Sequence, residues 1–170
     1  ECEKPITAIK VGSSEIGVKA AFAHTASENQ GHSNAEYDKL FEESGVLREK
    51  TWQEFLDTSL ALGNCPPLRG DNVVIITNGG GAGLLAADHF ERLGMPLKEL
   101  KDISPDLREN IRNYMPAFGS PLNPVDISGT ATSDMYGGAL KTAYRDEHVD
   151  GILISVCPTA VTDVEAITET

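Results

Sequence analysis

The residues Val73-Val74-Ile75-Ile76-Thr77-Asn78-Gly79-Gly80-Gly81-Ala82-Gly83-Leu84-Leu85-Ala86-Ala87-Asp88 decide the fold. Four consecutive apolar β-branched residues form the kind of run that is buried in a parallel sheet, and Ala86, Ala87, Phe90 and Leu93 then recur at helical spacing. The stretch reads as strand, tight turn, helix. Glycines in the turn are expected to adopt positive φ, letting free N–H groups at the helix start close on an anion, where the helix dipole adds about half a positive charge. A phosphate is the natural guest. The plainer reading is that the glycines only permit close strand-helix packing in an ordinary α/β unit.

Working downstream, Gly94 stops the helix and a short segment runs from Met95 to Leu100. Ser104-Pro105 opens a further helix that ends before Pro116, with proline in the tolerated first turn. Asn123-Pro124-Val125-Asp126-Ile127 reads as a short strand, Ser133 to Arg145 as a helix, and Ile152 to Cys157 as a second buried strand ending at Pro158. Thr162 and Glu165 form a capping pair for a last helix. Upstream, Gly63-Asn64-Cys65-Pro66-Pro67-Leu68-Arg69-Gly70-Asp71 is the best linker, since its prolines and glycines do not suit a regular element. Before it lie a strand over Pro5 to Val11, a weakly helical segment from Ile16 to Ala23, and a polar loop from Ala23 to His32. Ser33 with Glu36, and Thr51 with Glu54, are capping boxes for two helices, the first carrying Tyr37, Leu40 and Phe41 and closed by Gly45. The second has an apolar face of Trp52, Phe55, Leu56 and Leu60. Strands alternating with helices predict an α/β fold with a doubly wound, mainly parallel, flavodoxin-like sheet, preceded by the end of a second α/β domain. The expected division is 1–65 and 66–170.

The chain has 170 residues and is 40% hydrophobic, enough for a real core. Fourteen basic against 26 acidic residues give a net charge of −12, which supplies no broad positive field for nucleic acid or an anionic membrane. Any phosphate site must therefore be local. Cys2, Cys65 and Cys157 are far apart and lack C-x-x-C spacing, so a disulfide framework or zinc site is not expected and a reducing, cytoplasmic compartment fits best. No signal peptide is evident, and no apolar run approaches the ~20 residues of a membrane span. The chain enters almost directly on a strand and stops inside a helix, which suggests a piece of a longer polypeptide.

In open α/β sheets the ligand sits beyond the carboxyl ends of the strands. That rule brings the Gly79 to Gly83 turn, the Asn123 to Asp126 segment and the loop after Cys157 to one rim. Gly81-Ala82-Gly83-Leu84-Leu85-Ala86 satisfies the dinucleotide pattern G-x-G-x-x-A, but no second strand ending in a ribose-binding acid follows, the nearest acid being Glu99. A Walker A loop is excluded because no Gly-Lys-Ser/Thr occurs. Among the histidines, His89 and His148 read as structural and His32 has no evident partner. His24 lies among small residues that leave its imidazole free to act as nucleophile or phosphoryl carrier, although a plain loop histidine is the simpler reading.

Lys4-Pro5-Ile6 through Gly12, then Glu15, Gly17, Ala20 and Ala23-His24-Thr25-Ala26-Ser27, followed by the Tyr37 to Gly45 helix, resemble the phosphohistidine segment of the NDP-forming acyl-CoA synthetases. These are the ADP-forming acetate-CoA ligases, related to succinyl-CoA synthetase. Thr77 to Gly83 resembles the family's Gly-rich helix start, and Asn123-Pro124-Val125-Asp126-Ile127 its asparagine-proline-valine-aspartate segment. The resemblance implies that residues 1–65 end the phosphohistidine-bearing domain and that 66–170 form the ligase-CoA domain. It implies His24 as the carrier, Asn78, Gly79, Gly80, Gly81, Ala82 and Gly83 as the phosphate cradle, and Thr25, Ala26, Asn123 and Asp126 as the supporting loops. In such enzymes acyl-CoA and phosphate give an acyl phosphate, the histidine takes the phosphoryl group, and a mobile loop carries it to ADP on an ATP-grasp domain. CoA, ADP or ATP, and magnesium are accordingly expected on CoA-binding and ATP-grasp domains or subunits outside these residues, with a small carboxylic acid as substrate and a homo- or hetero-oligomer as the assembly. The family usually has serine where Ala23 stands, glycine where Ala26 stands, and often proline where Ala82 stands. The alternative is a non-catalytic regulatory or assembly module that uses the Gly-rich turn to bind a small anion or a partner subunit.

Overall fold

Residues 4–23 and 33–169 are described by the computed structural model, and the chain divides into two units between Pro67 and Leu68. The first unit contains β1 (Ile6–Ile9), α1 (Glu15–Phe22), α2 (Asn34–Glu43), β2 (Val46–Glu49) and α3 (Trp52–Asn64). The two strands pair in parallel, with Ile6 opposite Val46 and Ile9 opposite Glu49. Both expected capping boxes are present, Ser33 with Glu36 and Thr51 with Glu54. Gly45 follows α2 at φ +66°, a left-handed conformation that glycine adopts without penalty. No residue of α2 or α3 is buried, and Trp52, Leu56 and Leu60 are exposed along α3. His24, Thr25, Ala26 and His32 lie outside the described residues.

The second unit contains β3 (Val73–Thr77), α4 (Gly80–Arg92), α5 (Leu100–Ile103), α6 (Leu107–Arg112), β4 (Val125–Asp126), α7 (Ser133–Arg145), β5 (Gly151–Ser155) and α8 (Val164–Thr168). Its three strands are parallel in the order β4-β3-β5. β3 is buried at every residue, as its unbroken apolar run requires. Val74 and Ile76 point into a core with Leu100, Ile103, Leu107, Ile111, Tyr136, Ala139, Ala143 and Ile167. Fully burying each large aliphatic side chain contributes roughly 1.5–3 kcal/mol, so this cluster dominates the stability of the unit. Thr77, on the opposite face of the pleat, packs on Gly83 of α4. The connection leaving β3 goes to one side and the next returns past it to the other. That change of direction puts a topological switch point at the carboxyl end of β3, beside β5.

Four local expectations are corrected. The glycines of the β3–α4 turn do not take positive φ: among described glycines only Gly12, Gly45 and Gly94 do, and the helix already begins at Gly80. α3 runs through Gly63 to Asn64, because its last turn still closes a Cys65 N–H bond to the Ala61 carbonyl. Ser104-Pro105 does not open a helix but separates α5 from α6, which starts only at Leu107. The cap of α8 is Asp163, whose side chain accepts from the Ala166 N–H, while Thr162 is drawn into the loop network described below. No helix among the described residues is long and apolar enough to cross a membrane.

Candidate functional site

The carboxyl end of β3 delivers Thr77 and Asn78 to the start of α4. Thr77 Oγ1 accepts from the Gly79 N–H at 3.0 Å, fixing the turn. The Ala82 and Gly83 N–H groups both bond to the Gly79 carbonyl, at 3.0 and 3.2 Å. The Gly80 and Gly81 N–H groups have no hydrogen-bond partner among the described residues, and no side chain caps the helix. The short α5 and α6 also have no side-chain cap, whereas α1, α2, α3, α7 and α8 are capped by Ser14, Ser33, Thr51, Thr132 and Asp163. A missing side-chain cap costs about 1 kcal/mol, and helix-start donors without a protein acceptor turn to water or an anion. This 13-residue helix therefore offers two aligned donors and its dipole to an acceptor from outside.

The glycines serve proximity rather than unusual φ. A Cβ on Gly79 would run into the Cys157 thiol. On Gly80 it would lie 2.6 Å from Asp126 Oδ2, and on Gly83 it would lie 3.0 Å from both Pro124 Cβ and Thr77 Cγ2. Close strand-helix packing, the plainer reading, thus accounts for Gly83. Nothing lies within 4 Å of a Cβ on Gly81, so no neighbour requires glycine there.

Asn78 is 3% exposed and holds the two strand ends together. Its Nδ2 donates to the Cys157 carbonyl at 2.8 Å and to Thr162 Oγ1 at 3.2 Å, and its Oδ1 accepts from the Cys157 N–H at 2.7 Å. Its polar atoms are spent on positioning the rim. Asn123 plays a similar part lower down, its side chain bonding to Ile75 N–H, the Val73 carbonyl and the Lys98 carbonyl. Asp126, at the end of β4, accepts from Ser128 N–H through Oδ1 at 2.8 Å and presents Oδ2 to Gly80. Ser128 holds φ +76°.

Tyr136, Cys157, Thr159 and Thr162 complete the rim and were not singled out by sequence reasoning as site residues. Tyr136 sits beneath it, 1% exposed, donating to the Ser155 carbonyl. Burial pushes its hydroxyl up to about 12, against a smaller opposing hydrogen bond with the Asn78 backbone. Thr159 and Thr162 share a hydroxyl contact of 2.7 Å, and Thr159 reaches the Gly129 carbonyl. The sequence signals for this group were the Cys157-Pro158 stop after a strand and the rule that brings the loop after it to the rim. His89 contacts Arg92, and His148 contacts Asp146, both away from the rim. Among the described residues no three His, Cys, Asp or Glu side chains group to hold a metal ion.

Two family models match, a ligase-CoA domain over residues 73–169 and a succinyl-CoA ligase like flavodoxin domain over residues 1–62. The flavodoxin description thus attaches to the first unit. The chain is 43% identical to the alpha subunit of ADP-forming acetate-CoA ligase I of Pyrococcus furiosus, covering 98% of this chain and 35% of that one. It is 34% identical to ADP-forming acetate-CoA ligase I of Archaeoglobus fulgidus, over 94% of this chain and 22% of that one. A solved structure of the dinucleotide-forming acetyl-coenzyme A synthetase 1 of Ca. Korarchaeum cryptofilum, in complex with phosphate and ADP, superposes with a TM-score of 0.87 at 36% identity, over 98% of this chain and 35% of that one. The chain spans about a third or less of the length of these relatives.

Proposed function

This chain belongs to the NDP-forming acyl-CoA synthetases, and on that premise we propose that it is the phosphoryl-relay portion of an acid-CoA ligase that interconverts acyl-CoA, ADP and phosphate with acid, ATP and CoA. The observation that carries this reading is the uncapped start of α4, with the Gly80 and Gly81 N–H groups unpartnered among the described residues at a switch point. A Korarchaeum relative whose structure is described as holding phosphate and ADP supports it.

In the proposed sequence, phosphate attacks the acyl-CoA carbonyl, forming the acyl phosphate and releasing the thiol of CoA. The imidazole of His24 then displaces the carboxylic acid at phosphorus, and ADP takes the phosphoryl group to give ATP and free His24. His24 enters as carrier on its sequence match alone. What the described residues contribute is a place where phosphoryl oxygens meet main-chain donors rather than mobile cations, so that a charge of about −1.5 to −2 is met without lysine or arginine. Asn78 keeps those donors aimed, and the open space beside Gly81 lets oxygens approach the backbone. In this reading magnesium and nucleotide belong to an ATP-grasp partner and CoA to a CoA-binding partner, as separate domains or subunits of a cytoplasmic assembly.

The test is phosphohistidine formation in the full-length protein with γ-labelled ATP and magnesium, comparing wild type with His24→Ala. Acid-labile, base-stable label in the wild type and none in the variant is the expected result. Label in neither protein, with normal folding, leaves an anion- or partner-binding module and ends the relay reading.

A further inference from the structure

A second concave surface lies on the flank of α7, on the other side of the sheet from α4. It is a cavity of about 610 Å³ between the end of α6 and the outer face of α7, within the range of small-molecule sites. From this geometry we propose that the α6–α7 groove binds a nucleoside phosphate, with the base against Tyr114 and the phosphate at Lys141 and Arg145. The inference shares no residue with the α4 start and stands whether or not the relay reading does.

Gly138 is the first observation. It sits in the middle of a 13-residue helix, where glycine is less favourable than alanine. A Cβ there would collide with the Tyr114 ring. The helix is notched to seat an aromatic ring, which nevertheless stays 44% exposed and lines the cavity. A ring seated for core packing would be covered. An aromatic surface held in place at the wall of a polar cleft is what a planar base stacks on.

Charge is the second. Lys141 and Arg145 are four residues apart on α7, both line the cavity, and neither has an ion pair or hydrogen bond among the described residues. Arg108 and Arg112 on α6 also have no ion pair or hydrogen bond among the described residues, and Asp134 lines the same cavity; what sets Lys141 and Arg145 apart is that both line the groove that holds Tyr114. Like charges at this spacing repel and disfavour the helix. Cations near the last turn do offset the helix dipole, but that accounts for neither the seated ring nor the groove. Asp146, the acid beside Arg145, is already engaged. Burial alone would raise its carboxyl, and hydrogen bonds with Ser104 and with the backbone and ring of His148 outweigh that and hold it below the usual range.

Gly138 to Arg145 is seven residues, about 10 Å along a helix axis, so the ring seat and the two cations lie along one groove. Asn110 and Asn113 line the cavity with carboxamides that have no hydrogen-bond partner among the described residues. Each offers both a donor and an acceptor to a base edge or a ribose.

Isothermal titration of the 170-residue chain with ADP, adenosine and pyrophosphate tests this. Comparison proteins are Lys141→Ala/Arg145→Ala, Tyr114→Ala and Tyr114→Phe, with thermal melting as the folding control; the two cations are exposed, so their removal leaves the core intact. Saturable ADP binding, weakened about tenfold or more in the double variant and in Tyr114→Ala but retained in Tyr114→Phe, is expected, a tenfold loss being about 1.4 kcal/mol. Adenosine and pyrophosphate should each bind more weakly than ADP. Absence of saturable ADP binding at millimolar concentration overturns the proposal. So does pyrophosphate binding as tight as that of ADP, which would mark a plain anion patch. Binding indifferent to the double variant but abolished by Gly81→Asp would move the ligand to the α4 start and overturn it equally.

Discussion

Replacing Asn123 by alanine tests how the rim is held in place. β4 is only two residues long and pairs with Ile76 and Thr77, so the same edge of β3 at Val73 to Ile75 has no strand beside it. Asn123 substitutes for that strand: Oδ1 takes the Ile75 N–H at 3.0 Å and Nδ2 donates to the Val73 and Lys98 carbonyls at 2.8 and 2.9 Å. Ile75 is wholly buried and Val73 is 5% exposed. Removing the side chain strands two buried main-chain groups at roughly 1–3 kcal/mol each, while the Lys98 carbonyl can turn to water. A loss of about 3 kcal/mol follows, a large share of the ~5–15 kcal/mol that holds a domain together. Asn123→Asp keeps the acceptor for Ile75 but aims a carboxylate oxygen at two carbonyls, so at neutral pH it should be at least as damaging. Urea unfolding followed by far-UV circular dichroism, with hydrogen exchange at the Ile75 amide, is the assay; Trp52 lies in the other unit and reports on that unit instead. With a slope of about 1–3 kcal/mol per molar urea, the midpoint should fall by about 1–3 M. A loss under about 1 kcal/mol for Asn123→Ala, or an Asn123→Asp variant as stable as wild type, would refute the reasoning.

Gly81→Ala should stabilise the chain by about 0.5–1 kcal/mol, since its Cβ enters open space in a helix, whereas Gly83→Ala should lose about 1–3 kcal/mol to overpacking against Pro124 and Thr77; equal melting shifts for the two would contradict the geometry. Asp126→Asn keeps the acceptor for the Ser128 N–H while removing a negative charge beside Gly80, so it should tighten inorganic phosphate binding several-fold in titration calorimetry. Weaker phosphate binding in that variant would refute the charge argument. One of the four tyrosines should resist ionisation in an alkaline absorbance titration until about pH 12, and Tyr136→Phe should remove that step. Because burial raises this group above its unfolded value near 10, the unfolded chain binds fewer protons between pH 10 and 12, and stability should fall across that window.

The parallel α/β fold was legible because its strongest signals are local. Val73 to Ile76 could only be a buried strand, and the two capping boxes were written as residue pairs three apart. The errors fell where chain geometry depends on distant neighbours. Three glycines in a row suggested positive φ, yet Gly79 and Gly80 are pinned by Cys157 and Asp126, residues 78 and 46 positions downstream. Pro105 read as a helix opener because proline tolerates the first turn; burial of Ser104 between Ile103 and Leu107 breaks the segment into two short helices instead.

The same distinction governs the site. A sequence can display glycines and an asparagine, but not whether the asparagine's polar atoms remain free. Asn78 and Asn123 both fall in segments that resemble ligand-handling motifs, and both spend their side chains within the chain, on main-chain groups and, for Asn78, the Thr162 hydroxyl. The groups left open to a phosphate are two backbone N–H groups, which carry no residue identity at all. Such a site depends on whatever keeps those donors uncapped and approachable: a cap position without a side chain at Gly79, open space at Gly81, and a clamp at Asn78 that holds β5 against β3. Substituting any of these changes the position or exposure of the donors without deleting one, so the expected signature is altered phosphate affinity with the helix intact. An ordinary binding residue would instead lose a contact outright.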